Sequence, residues 1–284
     1  MVTVIDGKAL ARKMRGEIAE GVARLKAKTG ITPRLVVVLV GDDPASIVYV
    51  RNKEKGAAEL GMSSETRRLP SSIKQDSLIE IIKELNSDGL VHGILVQLPL
   101  PKGISENEVV AAISPEKDVD GLHPLNMGKL LRGEEPLHLP CTAQGVIELL
   151  LSTGIELKGK EAVVVGRSNI VGKPVALLLL QKHATVTICH SRTRDLGGVI
   201  KRGDIIVAAV GSPGLIHGDM IKQGAAIVDV GTNRVGEKLV GDVDFESARE
   251  RAGFITPVPG GVGPMTITML LQNTLRAAEL LSSK

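Results

Sequence analysis

The stretch GKEAVVVGRSNIVGKPVALLLL, residues 159–180, decides the fold class of this chain. Ala162 to Val165 is an apolar, largely β-branched run, as a strand covered on both faces needs to be. Gly166 then opens a turn onto a helix beginning near Gly172. Free backbone N–H groups and the helix dipole favour negative charge at such a helix start, so the segment reads as a phosphate-binding strand, loop and helix. The spacing Gly166-x-Ser168-x-x-x-Gly172 departs from G-x-G-x-x-G, and a tight turn that needs glycines only for packing is the competing reading of this loop taken singly.

The next strand, residues 184–189, ends at His190-Ser191-Arg192-Thr193, where a dinucleotide fold places the residue that meets the adenosine ribose. An acid there accepts from a free ribose 2'-hydroxyl and repels a 2'-phosphate. Ser191, Arg192 and Arg167 instead donate, which favours NADP over NAD. Two arginines merely solvated at a strand end are the alternative.

The bulk properties set the frame. With 284 residues, 43% of them apolar, the chain is long enough for one large or two medium domains, and two are expected. Thirty-five basic and 32 acidic residues leave a net charge of +3 with no dominant basic cluster, which argues against a nucleic-acid or membrane surface. Cys141 and Cys189 form neither a disulfide framework nor a metal cluster, and the six histidines lack ligand spacing. No metal is expected, and a reducing cytoplasm fits best. The first 21 residues turn charged within eight positions, and no apolar run approaches the roughly 18 residues of a spanning helix.

Along the chain, Asp6 caps a predicted helix over 7–28 with Leu10, Met14, Ile18, Val22 and Leu25 on one face. Predicted strands at 34–41, 65–69 and 92–98 alternate with helices at 46–60, 76–85 and 106–113, the pattern of a parallel sheet covered by helices. Residues 115–141 break the alternation with prolines, glycines and charges, as an active-site loop or interdomain crossing does. A second α/β unit begins near Thr142, with strands at AVVV, TVTIC, DIIVAAV and AAIVDVG. A closing helix, PMTITMLLQNTLRAAELL, follows the glycine-rich PVPGGVGPMT. There Pro264 suits a first helical turn, and the glycines admit close backbone approach.

Tyr49 and Lys53 lie four apart on a predicted helix and so share a face, although a surface lysine beside a half-buried tyrosine is the simpler account of such a pair. Gln97 sits at the carboxyl end of a predicted strand, where ligands of open parallel sheets bind. Asp118 and Asp120, beside Gly121, read first as turn formers.

In order, the segments YVRNK, VQLPLP, DVDGLHP, PCT, GRSNIVGKP, HSRT and TPVPGGVGPMT resemble, over almost the whole chain, the bifunctional methylenetetrahydrofolate dehydrogenase and methenyltetrahydrofolate cyclohydrolase family. PGGVGPMT and GRSNIVGKP are its most specific signatures. The resemblance implies an α/β protein of two domains. Residues 1–141 and 265–284 would be a parallel-sheet folate domain completed by the last helix, and 142–264 a Rossmann-like NADP domain, with a cleft between them. It implies a cytoplasmic homodimer acting on tetrahydrofolate derivatives. By position, Tyr49 packs along the folate, Lys53 is the catalytic lysine, Gln97 its hydrogen-bond partner and Asp120 a pterin ligand. Val96, Leu98, Pro259, Gly260, Gly261, Val262 and Gly263 complete the folate site, and Gly166, Arg167, Ser168, Ser191, Arg192 and Thr232 the coenzyme site. Ala143 stands where the family more usually has proline.

The implied chemistry suits these residues. Hydride leaves a methylene carbon held between two nitrogens that stabilise the cation, so oxidation asks for orientation and no general base. Hydrolysis of the methenyl product requires proton transfer, which a neutral Lys53 can perform. A shikimate-dehydrogenase-like oxidoreductase would need a small hydroxy-acid site in place of PGGVGPMT. A non-catalytic NADP sensor would have no use for Lys53 and Gln97.

Overall fold

The computed structural model describes residues 2–282, which fall into two compact units. One holds the chain through Arg12 together with Thr142–Thr266, and the other holds Lys13–Cys141 with the chain from Ile267 onward. The first half of the chain forms β1 (Thr3–Val4), α1 (Gly7–Thr29), β2 (Arg34–Val40), α2 (Pro44–Glu59), β3 (Ser63–Leu69), α3 (Gln75–Ser87), β4 (Gly93–Val96), α4 (Glu106–Ala111), α5 (Pro124–Arg132) and α6 (Cys141–Ser152). There follow β5 (Glu161–Val165), α7 (Gly172–Gln181), β6 (Thr185–Cys189), α8 (Leu196–Ile200), β7 (Ile205–Ala208), β8 (Ala226–Asp229), β9 (Asn233–Val235), β10 (Lys238–Val240), α9 (Phe245–Arg249), β11 (Phe254–Ile255) and α10 (Val262–Ser282). Among the described residues no helix is long and apolar enough to cross a membrane.

The unit formed by 13–141 and the end of α10 is built on a parallel sheet of order β3-β2-β4. Its central strand is covered on both faces, and Leu35, Val36, Val37 and Val38 have no exposed surface. That is why β2 is an unbroken apolar run, whereas the edge strand β3 tolerates Glu65, Arg67 and Arg68. One core joins Val36, Val38 and Ile94 to Leu78, Ile82 and Leu85 of α3. A second joins Ile18, Val22 and Leu25 of α1 to Ala57 of α2 and Leu271 and Leu275 of α10. A side chain on Gly21 would put its Cβ 2.6 Å from Leu275 Cδ2, so α1 and α10 approach closely at that point.

Residues 115–141 are not the continuous loop that their prolines and glycines suggest. They contain α5, with Pro124 in its first turn, the His123 ring accepting from Leu125 N at 3.0 Å, and Gly133 closing it in the left-handed conformation. The proline that looks like a breaker is a helix start, because the first turn has no use for its missing N–H.

The segment is pinned at its near end by Lys117, a buried ammonium that donates to the carbonyls of Leu85, Asn86 and Asp88 at 3.2, 2.8 and 2.7 Å. Leu85 and Asn86 belong to the last turn of α3, whose carbonyls have no partner within the helix. Burial lowers the Lys117 pKa, and the charges of Asp88 and Glu116 oppose that shift.

The other unit carries a parallel sheet of order β1-β11-β8-β7-β5-β6. Residues 1–12 were expected with the amino-terminal domain, but Thr3 pairs with Phe254 and Val4 with Ile255, so β1 is an edge strand of this sheet. Two residues of strand carry too little periodicity to be seen in the sequence. The β9–β10 hairpin and β11 escaped the sequence reading for the same reason. Strands β7 and β6 flank β5 on opposite sides, so the chain reverses direction across the sheet at β5. Outside the carboxyl ends of the strands at such a switch point a crevice opens, and this places the glycine loop after β5 there.

Replacing Lys117 with methionine leaves those carbonyls of α3 without a donor and should lower stability by about 1.5–3 kcal/mol. A fall in the midpoint of urea unfolding, at constant slope, is the expected reading.

Candidate active site

Asp43 caps α2, its carboxylate accepting from Ser46 N at 2.7 Å, and Pro44 sets the first turn. The buried face of the helix runs through Ser46, Val50, Lys53, Gly56 and Ala57. Lys53 therefore occupies a core position. It is 8% exposed, whereas Tyr49, one turn earlier, is 38% exposed, the reverse of a surface lysine beside a half-buried tyrosine. Its Nζ donates to Gln97 Oε1 at 2.9 Å. Gln97 directly follows β4, its own N–H donating to Val38 O of β2 at 2.9 Å and its Nε2 to Leu98 O at 2.7 Å. Both ends of that amide are thus engaged, and Oε1 is held toward the amine. Val96 is buried within β4, and Leu98 is half-buried beside Gln97.

Asp118 and Asp120 divide their work. Asp118 is buried and forms the turn, accepting from Leu122 N at 3.2 Å, His123 N at 2.8 Å and Asn126 Nδ2 at 2.8 Å. Burial raises its pKa to about 7 against those donors. Asp120 keeps some solvent access, and its charge acts on Lys53. Desolvation lowers the Lys53 pKa, with Asp120 pulling the other way, and desolvation raises that of Asp120, with Lys53 opposing. Burial thus pushes both groups toward their neutral forms, and the charge of each opposes the shift of the other. The thiol of buried Cys141, which donates to Val119 O at 3.2 Å, is raised well above its ordinary value and brings no charge.

Asn273 of α10 closes this group from behind, its Nδ2 donating to Val119 O at 2.9 Å and Leu139 O at 3.0 Å. Sequence reasoning missed it, because a lone asparagine on a predicted helix has no motif around it. Tyr49, Lys53, Gln97, Asp120, Cys141 and Asn273 all belong to one unit.

The expected coenzyme residues belong to the other unit, at the carboxyl ends of neighbouring strands. Val165 and Cys189, the last residues of β5 and β6, are directly paired, so the loops that follow them start side by side. Arg167 in one, and Ser191 and Arg192 in the other, are exposed, as is Thr232 after β8. His190 holds the second loop, its N–H donating to Thr193 Oγ1 at 2.8 Å and its ring accepting from Arg192 N at 3.1 Å. The first acid beyond it, Asp195, caps α8 through Gly198 N. Neither loop therefore offers a free acid beside Arg167, Ser191 and Arg192.

The glycines of the loop also have packing reasons. A Cβ on Gly166 would lie 2.1 Å from Ala209 O, and one on Gly172 would lie 2.3 Å from Gly166 O. Ser168 Oγ accepts from Val171 N at 3.1 Å and Gly172 N at 3.3 Å, so it shapes the start of α7 itself. In the glycine-rich stretch before α10, Gly261 N donates to Pro257 O at 2.9 Å, and a Cβ on Gly7 would lie 2.0 Å from Gly261 O. Pro259 is exposed, Gly260 and Gly263 half-buried, and Val262, which begins α10, buried.

Comparison with known proteins identifies the relatives. Residues 5–120 match the family model described as tetrahydrofolate dehydrogenase/cyclohydrolase, catalytic domain, and residues 140–282 match that described as tetrahydrofolate dehydrogenase/cyclohydrolase, NAD(P)-binding domain. The bifunctional protein FolD of Moorella thermoacetica is 61% identical over 277 residues, which is 97% of this chain and 98% of that protein. The crystal structure of the bifunctional FolD enzyme of Campylobacter jejuni superposes with a TM-score of 0.97 at 49% identity, over 99% of each chain. The Trypanosoma brucei methylenetetrahydrofolate dehydrogenase-cyclohydrolase, solved with NADP cofactor and inhibitor, does so with a TM-score of 0.94 at 44% identity, over 98% of each. Those matches, on an α/β chain that buries a lysine against a glutamine beside an acidic turn, leave no place for a shikimate-type oxidoreductase or a non-catalytic sensor: this chain belongs to the bifunctional tetrahydrofolate dehydrogenase/cyclohydrolase family.

Proposed function

We propose that this protein oxidises 5,10-methylenetetrahydrofolate with NADP and hydrolyses the methenyl product to 10-formyltetrahydrofolate, with Lys53 as the proton carrier of the second step. The observation that carries the reading is the buried Lys53–Gln97 contact at 2.9 Å with Asp120 beside it. A lysine kept only for charge would stand in water. This one is on the core face of α2, where burial lowers its pKa toward the neutral amine.

In the oxidation, this chain's task is to orient. Tyr49, exposed one turn from Lys53, offers a ring face to the folate, and Asp120 accepts from the pterin. When bound, NADP supplies the hydride acceptor. The two nitrogens flanking the methylene carbon stabilise the resulting cation, so no residue removes a proton. In the hydrolysis, water attacks the amidinium carbon, and Lys53 Nζ takes the proton the water loses and returns it to the departing ring nitrogen. Gln97 Oε1 holds the amine in place through this exchange. The substrate cation disfavours a charged ammonium beside it, which adds to the effect of burial.

Arg167, Ser191 and Arg192 can each donate to a 2'-phosphate and none is an acid, and this supports NADP over NAD. Val96 and Leu98 extend the folate surface within the unit of Lys53, and Gly166, Ser168 and Thr232 extend the coenzyme surface within the other. Two supporting features concern setting. Both cysteines are free thiols, as in a reducing cytoplasm, and the edge strand β6 carries Ile188 with 42% of its surface exposed, as a homodimer paired through this unit would use.

Lys53→Met is expected to lower cyclohydrolase kcat by about 10²- to 10⁴-fold while sparing more of the dehydrogenase. Stopped assays that resolve methenyl from formyl product check this, and equal loss of both activities with folate binding intact would make Lys53 an orienting group.

In the wild type, the cyclohydrolase rate should rise with pH as Lys53 loses its proton, and level off above a pKa lowered from the ordinary lysine value. The rising limb should be missing from the residual activity of Lys53→Met.

For the coenzyme, Arg167→Ala should weaken NADP by about ten- to a hundredfold and leave NAD almost unaffected. The kcat/KM ratio for NADP over NAD is the measurement, with Ser191→Asp as a second probe. An unchanged ratio in both variants, or a wild type that prefers NAD, would count against this assignment.

A further inference from the structure

Behind the coenzyme loops lie two carboxylates that the functional reading has not used. Asp242, on the segment after the β9–β10 hairpin, has no exposed surface, and Asp229, the last residue of β8, is 4% exposed. Among the described residues neither has a lysine or arginine as a hydrogen-bond partner, the partners being backbone N–H groups and one amide. Asp242 Oδ2 accepts from Val210 N at 2.7 Å and Gly211 N at 3.0 Å, and its Oδ1 accepts from Ser212 N at 2.9 Å and Asn233 Nδ2 at 2.8 Å. Asp229 accepts from Gly231 N at 2.9 Å, Asp242 N at 3.0 Å and Val243 N at 2.9 Å. The fit is tight, since a Cβ on Gly231 would lie 2.4 Å from the Asp242 carboxyl carbon and one on Gly241 would lie 1.9 Å from Asp229 Oδ2.

The gripped segments flank the switch point. Residues 210–212 follow β7, and their first neighbour, Ala209, is the residue whose carbonyl leaves no room for a side chain at Gly166. Gly231 and Asn233 bracket Thr232 after β8. Val210 and Gly211 are exposed on the outer side while their N–H groups point inward to Asp242. Three successive amides converging on one carboxylate form an anion nest that the chain fills with its own acid.

We propose that Asp242 is a positioning residue for the coenzyme: its carboxylate ties the loop after β7 to the loop after β8 and holds both in the shape that receives NADP. Asp229 sets Asp242 in place through its backbone. Asparagine cannot substitute, because its NH2 group would face two of the four donors that the carboxylate satisfies. The inference rests on the coenzyme reading above, and Asp242 has no part in hydrolysis, which uses no coenzyme and is assigned to residues of the other unit.

The test uses the full-length protein and NADP titrated by calorimetry, alongside both activities. For Asp242→Asn, the dissociation constant of NADP and the KM for NADP should each rise about tenfold or more, with dehydrogenase kcat at saturating coenzyme and the cyclohydrolase rate within about twofold of wild type. An unchanged dissociation constant overturns the proposal. So does a parallel loss of the cyclohydrolase, which would mark Asp242 as a support of the whole fold. If Asp242→Asn does not accumulate as folded protein, Asn233→Ala removes one of the four donors and is read in the same way: a several-fold weaker NADP supports the tie, and none overturns it. A wild type that fails to bind NADP would defeat the coenzyme reading itself, and is seen before any variant is made.

Discussion

An amine on the core face of a helix is the interaction on which the site depends. Seating Lys53 among Val50, Gly56 and Ala57 removes its solvation, and what compensates is specific: one amide oxygen at hydrogen-bond distance and one carboxylate nearby. Burial moves the amine toward its neutral form, and Asp120 opposes that shift. Each surrounding feature then has a reason. Gln97 must sit at the end of β4 to reach the amine, and β4 must pair with β2, whose Val38 carbonyl fixes the Gln97 backbone. The Asp118–Gly121 turn must bring Asp120 close. To do so it is held by Lys117 on α3, by Asp118 against α5, and by Asn273 from α10.

The coenzyme unit meets the opposite problem. Its ligand is anionic, so its loops present N–H groups and cations, and loops rich in glycine have little to hold them in shape. Buried acids hold these loops by accepting from their N–H groups. Asp242 and Asp229 take seven donors between them, six from the backbone. Asp195 caps α8, and Ser168 Oγ accepts from Val171 N and Gly172 N at the start of α7. Loops held in this way have less conformational freedom to lose when a ligand is ordered against them.

Much of this was legible in the sequence because it depends on local pattern. The apolar run of β2, the stripe of α1 and the strand-glycine-helix succession at 162–172 follow from periodicity and turn chemistry, and they recur in the structure within a few residues. The candidate residues Tyr49, Lys53, Gln97 and Asp120 could be named as well, since they stand in ordered motifs. What periodicity could not show were elements too short to have a period, such as β1 and β11, and a helix whose start is a proline, α5.

The sequence by itself determined the class of fold, the family and the candidate chemistry, because strand and helix signals and motif order are properties of neighbouring residues. Tertiary structure decided the burial of Lys53 and the division between the two aspartates. Whether Lys53 faces core or water depends on what packs on α2, and whether Asp118 or Asp120 reaches it depends on how the turn is tied down. Asn273 and Asp242 lie 154 and 30 residues from partners they hold, Val119 and Ser212. No local signal marks such residues. Their roles arise from distances that only the packed chain sets, and desolvation, the largest influence on Lys53, does not exist until the chain has folded around it.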